Sequence, residues 1–308
     1  MIAVLGGLGA AVAWAGSSLC SSRSSRLTDP LSVVAGMMLI GLVICVPIMA
    51  AQGVPAGLHG TAWLWLALSG GGNIAGLLLT YAAFRTGQVA LISPLTSTEG
   101  AVAALIAVAA GESLGAVAAG ALALATLGVC LASIKPGQAA VPAGVQPGPA
   151  GSGPALPQPS AGEADVPLPA GHARVVALAL LAALVFGGSL YGTARAGALL
   201  PSDWVVPAPR VIGTAVLALP LIVTRRLRIP RLAAPLVVAS GVCEVAGFFS
   251  FTLGSRHGIA VASVLAAQFS TVSVIVAYLL FGERLGRLQL AGVVTVIVGV
   301  SLLSVATA

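Results

Sequence analysis

Residues 69–133 read SGGGNIAGLLLTYAAFRTGQVALISPLTSTEGAVAALIAVAAGESLGAVAAGALALATLGVCLAS, and residues 240–304 read SGVCEVAGFFSFTLGSRHGIAVASVLAAQFSTVSVIVAYLLFGERLGRLQLAGVVTVIVGVSLLS. The two stretches align without a gap at an offset of 171 residues (240 − 69 = 171). The strongest match sets Gly111–Gly115 (GESLG) against Gly282–Gly286 (GERLG), and Arg85 aligns with Arg256. Composition alone rarely keeps an arginine and a Gly-Glu pair in register over this length. We therefore interpret the chain as a tandem duplication.

The composition excludes a water-soluble protein. Of the 308 residues, 58% are hydrophobic and only 7% are charged, whereas an ordinary globular domain carries about a quarter charged residues. Apolar runs of roughly 20 residues, the length of a membrane-spanning helix, recur throughout the chain. Because the runs are continuous and do not alternate, they exclude a transmembrane β-barrel. The sequence predicts an all-α polytopic membrane protein.

The apolar runs predict ten transmembrane helices, five in each half. They lie at about 2–21, 31–50, 61–84, 89–110, 116–134, 173–194, 204–223, 233–254, 259–281 and 288–306. Residues 135–171 between the halves are rich in Pro, Gly and Ala and have no hydrophobic periodicity, so we interpret them as a disordered linker, with a regulatory segment as the alternative. The predicted domains are a first repeat at 1–134, this linker, and a second repeat at 172–308.

An odd number of spans in each half determines the architecture. Each repeat begins on one side of the bilayer and ends on the other, so the second copy must insert upside down. The prediction is therefore two inverted five-helix repeats related by a pseudo-two-fold axis in the membrane plane. Such a pair has two nearly equivalent packings, one open to each side of the membrane. This property is the physical basis of transport by alternating access.

Several motifs resemble those of a known family. A G-E-x-L pattern precedes the last helix of each half, small residues including Gly292 and Gly299 mark the final helix, and the first span contains Trp14-Ala15-Gly16-Ser17. Together with the duplicated five-span layout, these motifs resemble the drug/metabolite transporter superfamily, specifically its EamA-type domains. The resemblance covers nearly the whole chain outside the linker. It implies a transporter of small metabolites, with efflux as the favoured direction.

A carboxylate in the eighth span is the first candidate site residue. An ionisable group inside the hydrocarbon costs at least about 2.5 to 3.5 kcal/mol, and such groups tend to mark a transport pathway. Glu244 lies mid-span, on the same helical face as Ser240 four residues earlier. Its repeat equivalent is Asn73, which shares a face with Ser69. We predict that Glu244 and Asn73 line a central cavity; a purely structural hydrogen-bonding role is the alternative.

A second carboxylate lies in the fourth span. Glu99 follows Thr96 by three residues, and the ninth-span equivalent of its neighbour Ser97 is Gln268. A carboxyl group in this setting is suited to carrying a proton in one state and releasing it in the other. The alternatives are that Glu99 pairs with Arg210 or that it caps a broken helix. Substrate binding or proton coupling is the hypothesis for Glu99 and Gln268.

Three further candidates are drawn from other spans, together with Arg210. Arg210 in the seventh span is interpreted as a counter-ion or an anion anchor, or alternatively as an interfacial residue that reaches water. A family arginine early in the second helix of a half corresponds, by resemblance, to this position. Trp14 and Ser18 lie one turn apart on the first span, and Tyr191 is near the matching place in the sixth. These three are cavity candidates, with ordinary helix packing as the alternative.

Charged residues at the span ends receive structural interpretations. Glu112 and Glu283 stand beside glycine near helix ends, where a carboxylate can cap the N–H groups of the following helix and complement its dipole. Arg85 and Arg256 are interpreted as anchors at the membrane interface. No direct role in transport is predicted for these four residues.

The sequence gives little support for catalysis or cofactor binding. The four cysteines are scattered singly, which is atypical of metal sites and disulfide frameworks, and no nucleotide-binding motif occurs. Convergent nucleophile, acid or metal-ligand groups are not found either. We therefore predict no enzymatic activity, no cofactor, no metal and no nucleic-acid partner.

Basic residues are unevenly distributed between the two predicted membrane faces. If side A is the side of residue 1, side A holds Arg195 and Arg256, and Arg210 lies in the membrane. Side B holds Arg23, Arg26, Arg85, Lys135, Arg174, Arg225, Arg226, Arg228, Arg231, Arg284 and Arg287. The positive-inside rule makes side B cytoplasmic and places both termini outside. The family resemblance instead places both termini in the cytoplasm, so the orientation stays open.

The hypothesis that combines these observations is a secondary active transporter of a small metabolite, possibly coupled to protons. The two halves are expected to rock around a cavity lined by the first, third, fourth, sixth, eighth and ninth spans. The alternatives are a lipid-carrier flippase and a membrane-embedded sensor or scaffold. The expected location is the cytoplasmic membrane, as a multi-pass protein. The expected partners are a small-molecule substrate and the lipid bilayer, with the protein a monomer or homodimer.

Overall fold

The structure, a computed structural model, describes residues 1–86, 92, 95–133, 171–281 and 286–306. Within these ranges the chain forms helices and turns and contains no strand. The helices are α1 (Ile2–Ser24), α2 (Pro30–Gln52), α3 (Thr61–Thr86), α4 (Glu99–Ala109), α5 (Ala116–Ser133), α6 (Gly171–Leu199), α7 (Ser202–Val223), α8 (Ala234–Ser255), α9 (Ile259–Ala266 and Phe269–Phe281) and α10 (Arg287–Ala306). Most of the linker predicted at 135–171, the start of the fourth predicted span and Glu283 lie outside the described residues.

Six of these helices are long and apolar enough to cross a membrane: α1, α2, α3, α6, α7 and α8. The described parts of α4, α5, α9 and α10 are apolar but shorter. The protein is therefore an all-α multi-pass membrane protein. Helix α7 is less regular than predicted, because Thr214–Ala218 form a π-helical turn within it.

The packing of the helices is symmetric between the halves. Helix α1 packs along α8, and its equivalent α6 packs along α3 in the same way. Likewise α2 packs on α8 as α7 packs on α3, and α1 on α9 as α6 on α4. The pairs α2–α7, α4–α9 and α5–α10 each join a helix to its own equivalent. A contact pattern that is unchanged when the halves are exchanged indicates a two-fold relation between the two repeats.

Equivalent helices run in opposite directions where they meet. In the α5–α10 pair, Gly292 lies against Ala132, whereas Gly299 lies against Ala125 and Ala121. Residue numbers therefore rise along α10 where they fall along α5, so the two helices are antiparallel. Their backbones approach closely because glycine at residue 292 leaves no side chain between them.

Helix α9 is interrupted at its middle, and a turn at the equivalent position precedes α4. Ala267 and Gln268 form a turn between the two parts of α9, and Ser97 and Thr98 form a turn directly before α4. The repeat offset of 171 residues places Ser97 opposite Gln268 (268 − 97 = 171), so the two turns occupy equivalent positions. The ninth span was predicted as one continuous helix, and this prediction was wrong. Neither Gly nor Pro marks the interruption in its sequence.

Glu112 caps a helix, but not the helix that was predicted. Its carboxylate oxygens accept hydrogen bonds from the backbone N–H groups of Ile259 at 3.1 Å and Ala260 at 3.2 Å, which begin α9. The expected partner was the following helix, α5. Glu112 therefore caps helix N–H groups as predicted, but the capped helix belongs to the other repeat. Arg256 caps the C-terminal end of a helix, since it donates to the carbonyl of Gly197 in the last turn of α6 and to that of Leu200 directly after it.

Candidate functional site

Arg210 of α7 lies in the interior of the helix bundle, with a relative exposure of 0%. Its Nη2 lies 3.7 Å from Oε1 of Glu244 and donates to the Glu244 carbonyl oxygen at 3.4 Å. Its Nη1 contacts the sulfur of Met38 at 3.4 Å, and its Nε has no hydrogen-bond partner among the described residues. The guanidinium group is therefore paired in charge, but its donors are incompletely used.

Glu244 is the accessible member of this ion pair. Its side chain retains 16% relative exposure, whereas that of Arg210 retains none. The carboxylate is therefore partly accessible, whereas the guanidinium group is fully enclosed. Arg210 is therefore a counter-ion, as one of its two interpretations proposed, and its partner is Glu244. The alternative in which Glu99 pairs with Arg210 is not observed in the described part of the chain. The Arg210 guanidinium is buried and does not reach water.

An aromatic cluster adjoins the ion pair. The guanidinium carbon of Arg210 lies 4.7 Å from the ring centroid of Phe248, one helical turn after Glu244 on α8. Trp14 of α1 meets Phe248 edge-to-face with centroids 5.3 Å apart, and it also contacts Phe251 and Phe269. The Trp14 Nε1 is buried without a hydrogen-bond partner among the described residues. Phe248 therefore joins the predicted candidate Trp14 to the ion pair, although no sequence motif pointed to Phe248.

The repeats place an apolar residue opposite Arg210. In the α2–α7 pair the contacts Gly41–Arg210 and Met38–Gly213 are exchanged by an offset of 172 residues, one more than in the aligned stretches. At this offset Met38 of α2 is equivalent to Arg210 (210 − 38 = 172), and the two side chains touch each other. Gly41 packs against Arg210 just as its equivalent Gly213, also 172 residues later, packs against Met38. The site is thus built on symmetric backbone positions but carries a cation on only one side.

Ser240, which shares a helical face with Glu244, forms a hydrogen-bonded contact between α8 and α1. Ser240 bonds to the hydroxyls of Ser17 at 2.9 Å and Ser21 at 2.6 Å on α1. Its repeat equivalent Ser69 bonds to Thr193 at 2.6 Å on α6. Both serines are fully buried. They therefore fix the pairs α1–α8 and α3–α6, while the residues one turn further on, Glu244 and Asn73, remain half-buried.

The candidates at the interrupted helices lie next to this site. Glu99, in the first turn of α4, is half-buried, and its carboxyl group is close enough to that of Glu244 to interact electrostatically. Gln268 is buried at the interruption of α9, where its Nε2 donates to the Val264 carbonyl at 3.1 Å. The Oε1 of Gln268 and the Oδ1 of Asn73 are buried without partners among the described residues. Both oxygens are therefore hydrogen-bond acceptors that the described residues leave unpaired.

Two predicted candidates, Tyr191 and Ser18, have no described contact with the ion pair. Tyr191 meets Trp65 edge-to-face at 5.8 Å and packs in a different apolar cluster from Trp14. Ser18 is half-buried and takes no part in the hydrogen bonds around Ser240, in which Ser17 is the participant. The described contacts of Tyr191 and Ser18 do not include Arg210 or Glu244, and ordinary packing is the simpler interpretation of Tyr191.

Two concavities lie at the side-A end of the bundle, away from the ion pair. The larger, of about 710 Å³, is lined by residues around Glu112, His257 and Leu302. The smaller, of about 380 Å³, is lined by Glu112, Arg195 and Arg256 among others. Neither concavity is lined by Arg210 or Glu244. The ion pair is therefore the stronger candidate, because charge buried in the hydrocarbon region requires a reason.

Comparison with known proteins places the chain in a family and a fold. The model of the EamA-like transporter family matches residues 1–134 and 173–305, which include both repeats. The search of curated proteins finds no match. A crystal structure, titled only as the structure of a protein, is similar over 99% of this chain and 96% of that chain, with a TM-score of 0.73 and 17% sequence identity. At this identity the similarity shows the fold alone.

Proposed function

Because the chain belongs to the EamA-like transporter family, we propose that it is a secondary active transporter that moves a small metabolite by alternating access. Efflux is the proposed direction, and the cytoplasmic membrane is the proposed location. Ten transmembrane helices in two inverted repeats are the proposed topology. The antiparallel contact of α5 with α10 supports the inversion, since equivalent helices of inverted repeats run in opposite directions.

The Arg210–Glu244 pair is the observation that carries this proposal. A buried pair costs several kcal/mol of desolvation per ion, so such pairs are poor devices for stability alone. Here the arginine is fully enclosed while the carboxylate keeps partial access. A proton or a substrate group that reaches Glu244 competes with Arg210 for the carboxylate. Exchange of partners at Glu244 gives the two states of the transporter different free energies, which alternating access requires.

The moving bodies are proposed to mix helices from both repeats. Helix α1 packs along α8, and α2 and α9 pack on the same pair, whereas α3, α4, α6 and α7 form the equivalent group. We define these two groups as the α1/α8 bundle and the α3/α6 bundle. Rocking of whole repeats would have to separate α1 from α8, which are joined along their length from Gly6 to Ser21. Rocking of the two mixed bundles keeps these contacts and moves α7, with Arg210, against α8, with Glu244.

The experiment that tests the function is transport into proteoliposomes under a set pH gradient. The substrate is first identified by metabolite profiling of cells with and without the gene. The variant Glu244→Gln keeps the size of the side chain but cannot release a proton or hold a negative charge. We expect it to fold and to lose accumulation driven by the pH gradient.

The matched control is Glu112→Gln, which changes the same residue type at the side-A end of the bundle. We expect this variant to keep gradient-driven accumulation, because Glu112 caps α9 and does not contact Arg210. Wild-type accumulation by Glu244→Gln would remove Glu244 from the coupling mechanism. Equal flux by protein-free liposomes would overturn the transporter itself.

A further inference from the structure

The loop that connects α7 to α8 is strongly basic. Residues 224–233, the basic loop, contain four arginines in seven positions: Arg225, Arg226, Arg228 and Arg231. All four side chains are exposed. Arg23 and Arg26 in the neighbouring α1–α2 turn are exposed as well. In the described part of this end of the bundle, the acidic residue is Asp29, which is engaged as the N-cap of α2.

The basic loop is held in one shape by the first repeat. The hydroxyl of Thr28 donates to the carbonyl of Arg228 at 2.6 Å, and the N–H of Arg228 donates to the hydroxyl of Ser32 at 3.2 Å. Ile229 fills the space beside Gly36 on α2. The contacts of these residues therefore dock the loop on the α1–α2 turn and leave its arginine side chains free to bind a partner.

The backbone at Arg225 shows how firmly this shape is imposed. Arg225 has φ of 54°, in the left-handed region that residues other than glycine rarely adopt. The next two N–H groups, of Arg226 and Leu227, both donate to the carbonyl of Leu221, at 2.8 and 3.0 Å. These bonds close the end of α7 and present Arg225 and Arg226 outward together.

The apolar neighbours of the arginines indicate the chemistry of the partner. Val223 directly before the loop is 72% exposed, and Leu232 within it is 73% exposed. Exposed apolar side chains beside arginines, at the end of a membrane-spanning helix, fit the boundary between acyl chains and phosphate groups. A free phosphate would use the arginines but not the apolar side chains. We infer that the basic loop, docked on the α1–α2 turn, binds the headgroup of an anionic phospholipid.

The position of the loop gives such binding a consequence for the buried ion pair. The loop joins α7, which carries Arg210, directly to α8, which carries Glu244. A π-helical turn, Thr214–Ala218, lies between Arg210 and the loop on α7. A lipid bound at the loop therefore holds the connection between the two helices of the ion pair. The lipid site itself does not depend on the proposed transport function.

Native mass spectrometry of the full-length protein in detergent tests this inference with added lipid. Phosphatidylglycerol supplies the anionic headgroup, and phosphatidylcholine is the zwitterionic comparison. We expect wild-type protein to retain phosphatidylglycerol preferentially and Arg225→Gln/Arg226→Gln to bind it more weakly, by about 5-fold for each arginine removed. The control Arg174→Gln/Arg287→Gln removes two arginines from the same end of the bundle outside the loop, and it should bind as wild type does.

A second variant separates a formed site from diffuse surface charge. Thr28→Val removes the hydrogen bond that docks the loop without changing any charge, and we expect it to weaken phosphatidylglycerol binding. Equal losses in the two double variants would show a diffuse effect and overturn the site. Equal retention of the two lipids by wild-type protein would overturn it too, as would unaltered binding by Thr28→Val.

Discussion

The side chain of Arg210 shows how a single residue is stabilised inside an apolar bundle. Its charge is balanced by Glu244 at 3.7 Å and by the face of the Phe248 ring, while Met38 and Gly41 provide space around it. Because the repeat equivalent of Arg210 is Met38, the fold can hold an unbranched apolar side chain at the same kind of position. The cation is therefore a feature of this site, and the fold does not require it.

Removal of Arg210 alone should be costly, and removal of the pair should not. Arg210→Met leaves Glu244 as a half-buried charge without its partner, which is expected to lower the free energy of unfolding, by less than the about 3–5 kcal/mol typical of a fully buried pair. Adding Glu244→Gln should recover much of this loss, since no charge then remains. Denaturant unfolding in detergent measures both effects. A double variant as unstable as Arg210→Met would show that the arginine acts through packing alone.

Gly247 gives a second test at the scale of one residue. A Cβ at this position would collide with Nε1 and Cδ1 of Trp14. Gly247→Ala should therefore displace Trp14 from Phe248 and lower the free energy of unfolding by about 1–3 kcal/mol. Gly188→Ala on α6, where a Cβ meets nothing within 4 Å, is the control and should not be destabilising. Tryptophan fluorescence should shift only in Gly247→Ala.

The candidate site could be predicted from the sequence in its charges but not in its partners. Glu244 and Arg210 were identifiable because ionisable residues are rare in these spans. Their pairing was not, because it depends on how α7 packs on α8, and apolar helices of similar composition do not encode their neighbours. Phe248 had no signal except its spacing of four residues from Glu244. The location of Tyr191 in a different apolar cluster from Trp14 likewise depends on helix rotation, which the sequence does not encode.

At the scale of elements, Glu112 joins the repeats through a helix end. Its carboxylate accepts hydrogen bonds from two N–H groups at the start of α9, where the helix dipole also favours negative charge. This side chain of the first repeat thus stabilises a helix of the second.

Six of the predicted spans are helices long and apolar enough to cross a membrane, and they were predictable because apolar runs of that length are hard to place elsewhere. The interruption of α9 was not, because Ala267 and Gln268 are both compatible with a continuous helix and the turn is imposed by tertiary packing.

Loss of this cap should destabilise the protein without affecting the site. Glu112→Ala removes the acceptors of two N–H groups, and loss of a helix cap costs about 0.5–2 kcal/mol. Glu112→Gln retains one amide oxygen and should lose less. The free energy of unfolding measures the series. The cap would be unimportant if Glu112→Ala were as stable as wild type.

At the scale of the whole molecule, the two mixed bundles make a prediction about motion. In a background with the four native cysteines replaced by alanine, Ser17→Cys/Ser240→Cys places a disulfide within the α1/α8 bundle. Met38→Cys/Gly213→Cys places one between the bundles, and the shorter side chain at 38 makes room for the new one at 213. Hinge and shear motions preserve contacts within a rigid body and change those between bodies. Oxidation should therefore leave transport by the first variant intact and abolish transport by the second.

Reduction is the control for both disulfides and should restore the second variant. If whole repeats rocked instead, the Ser17–Ser240 crosslink would join the two moving parts, and oxidation would block transport in that variant. The two models therefore differ in the behaviour of a single disulfide, measured in the same proteoliposomes as the Glu244→Gln variant.

The pairing of α1 with α8 also constrains how the protein is made. The ribosome synthesises α1, which ends at residue 24, long before α8, which begins at residue 234. Until then the serines of α1 and its glycine-lined face have no partner, and the same is true of α3 before α6 is complete. We therefore expect the helices of the first repeat to be inserted in the bilayer but only loosely associated until the second repeat is translated. The native contacts of α1 with α8 and of α3 with α6 form after that point.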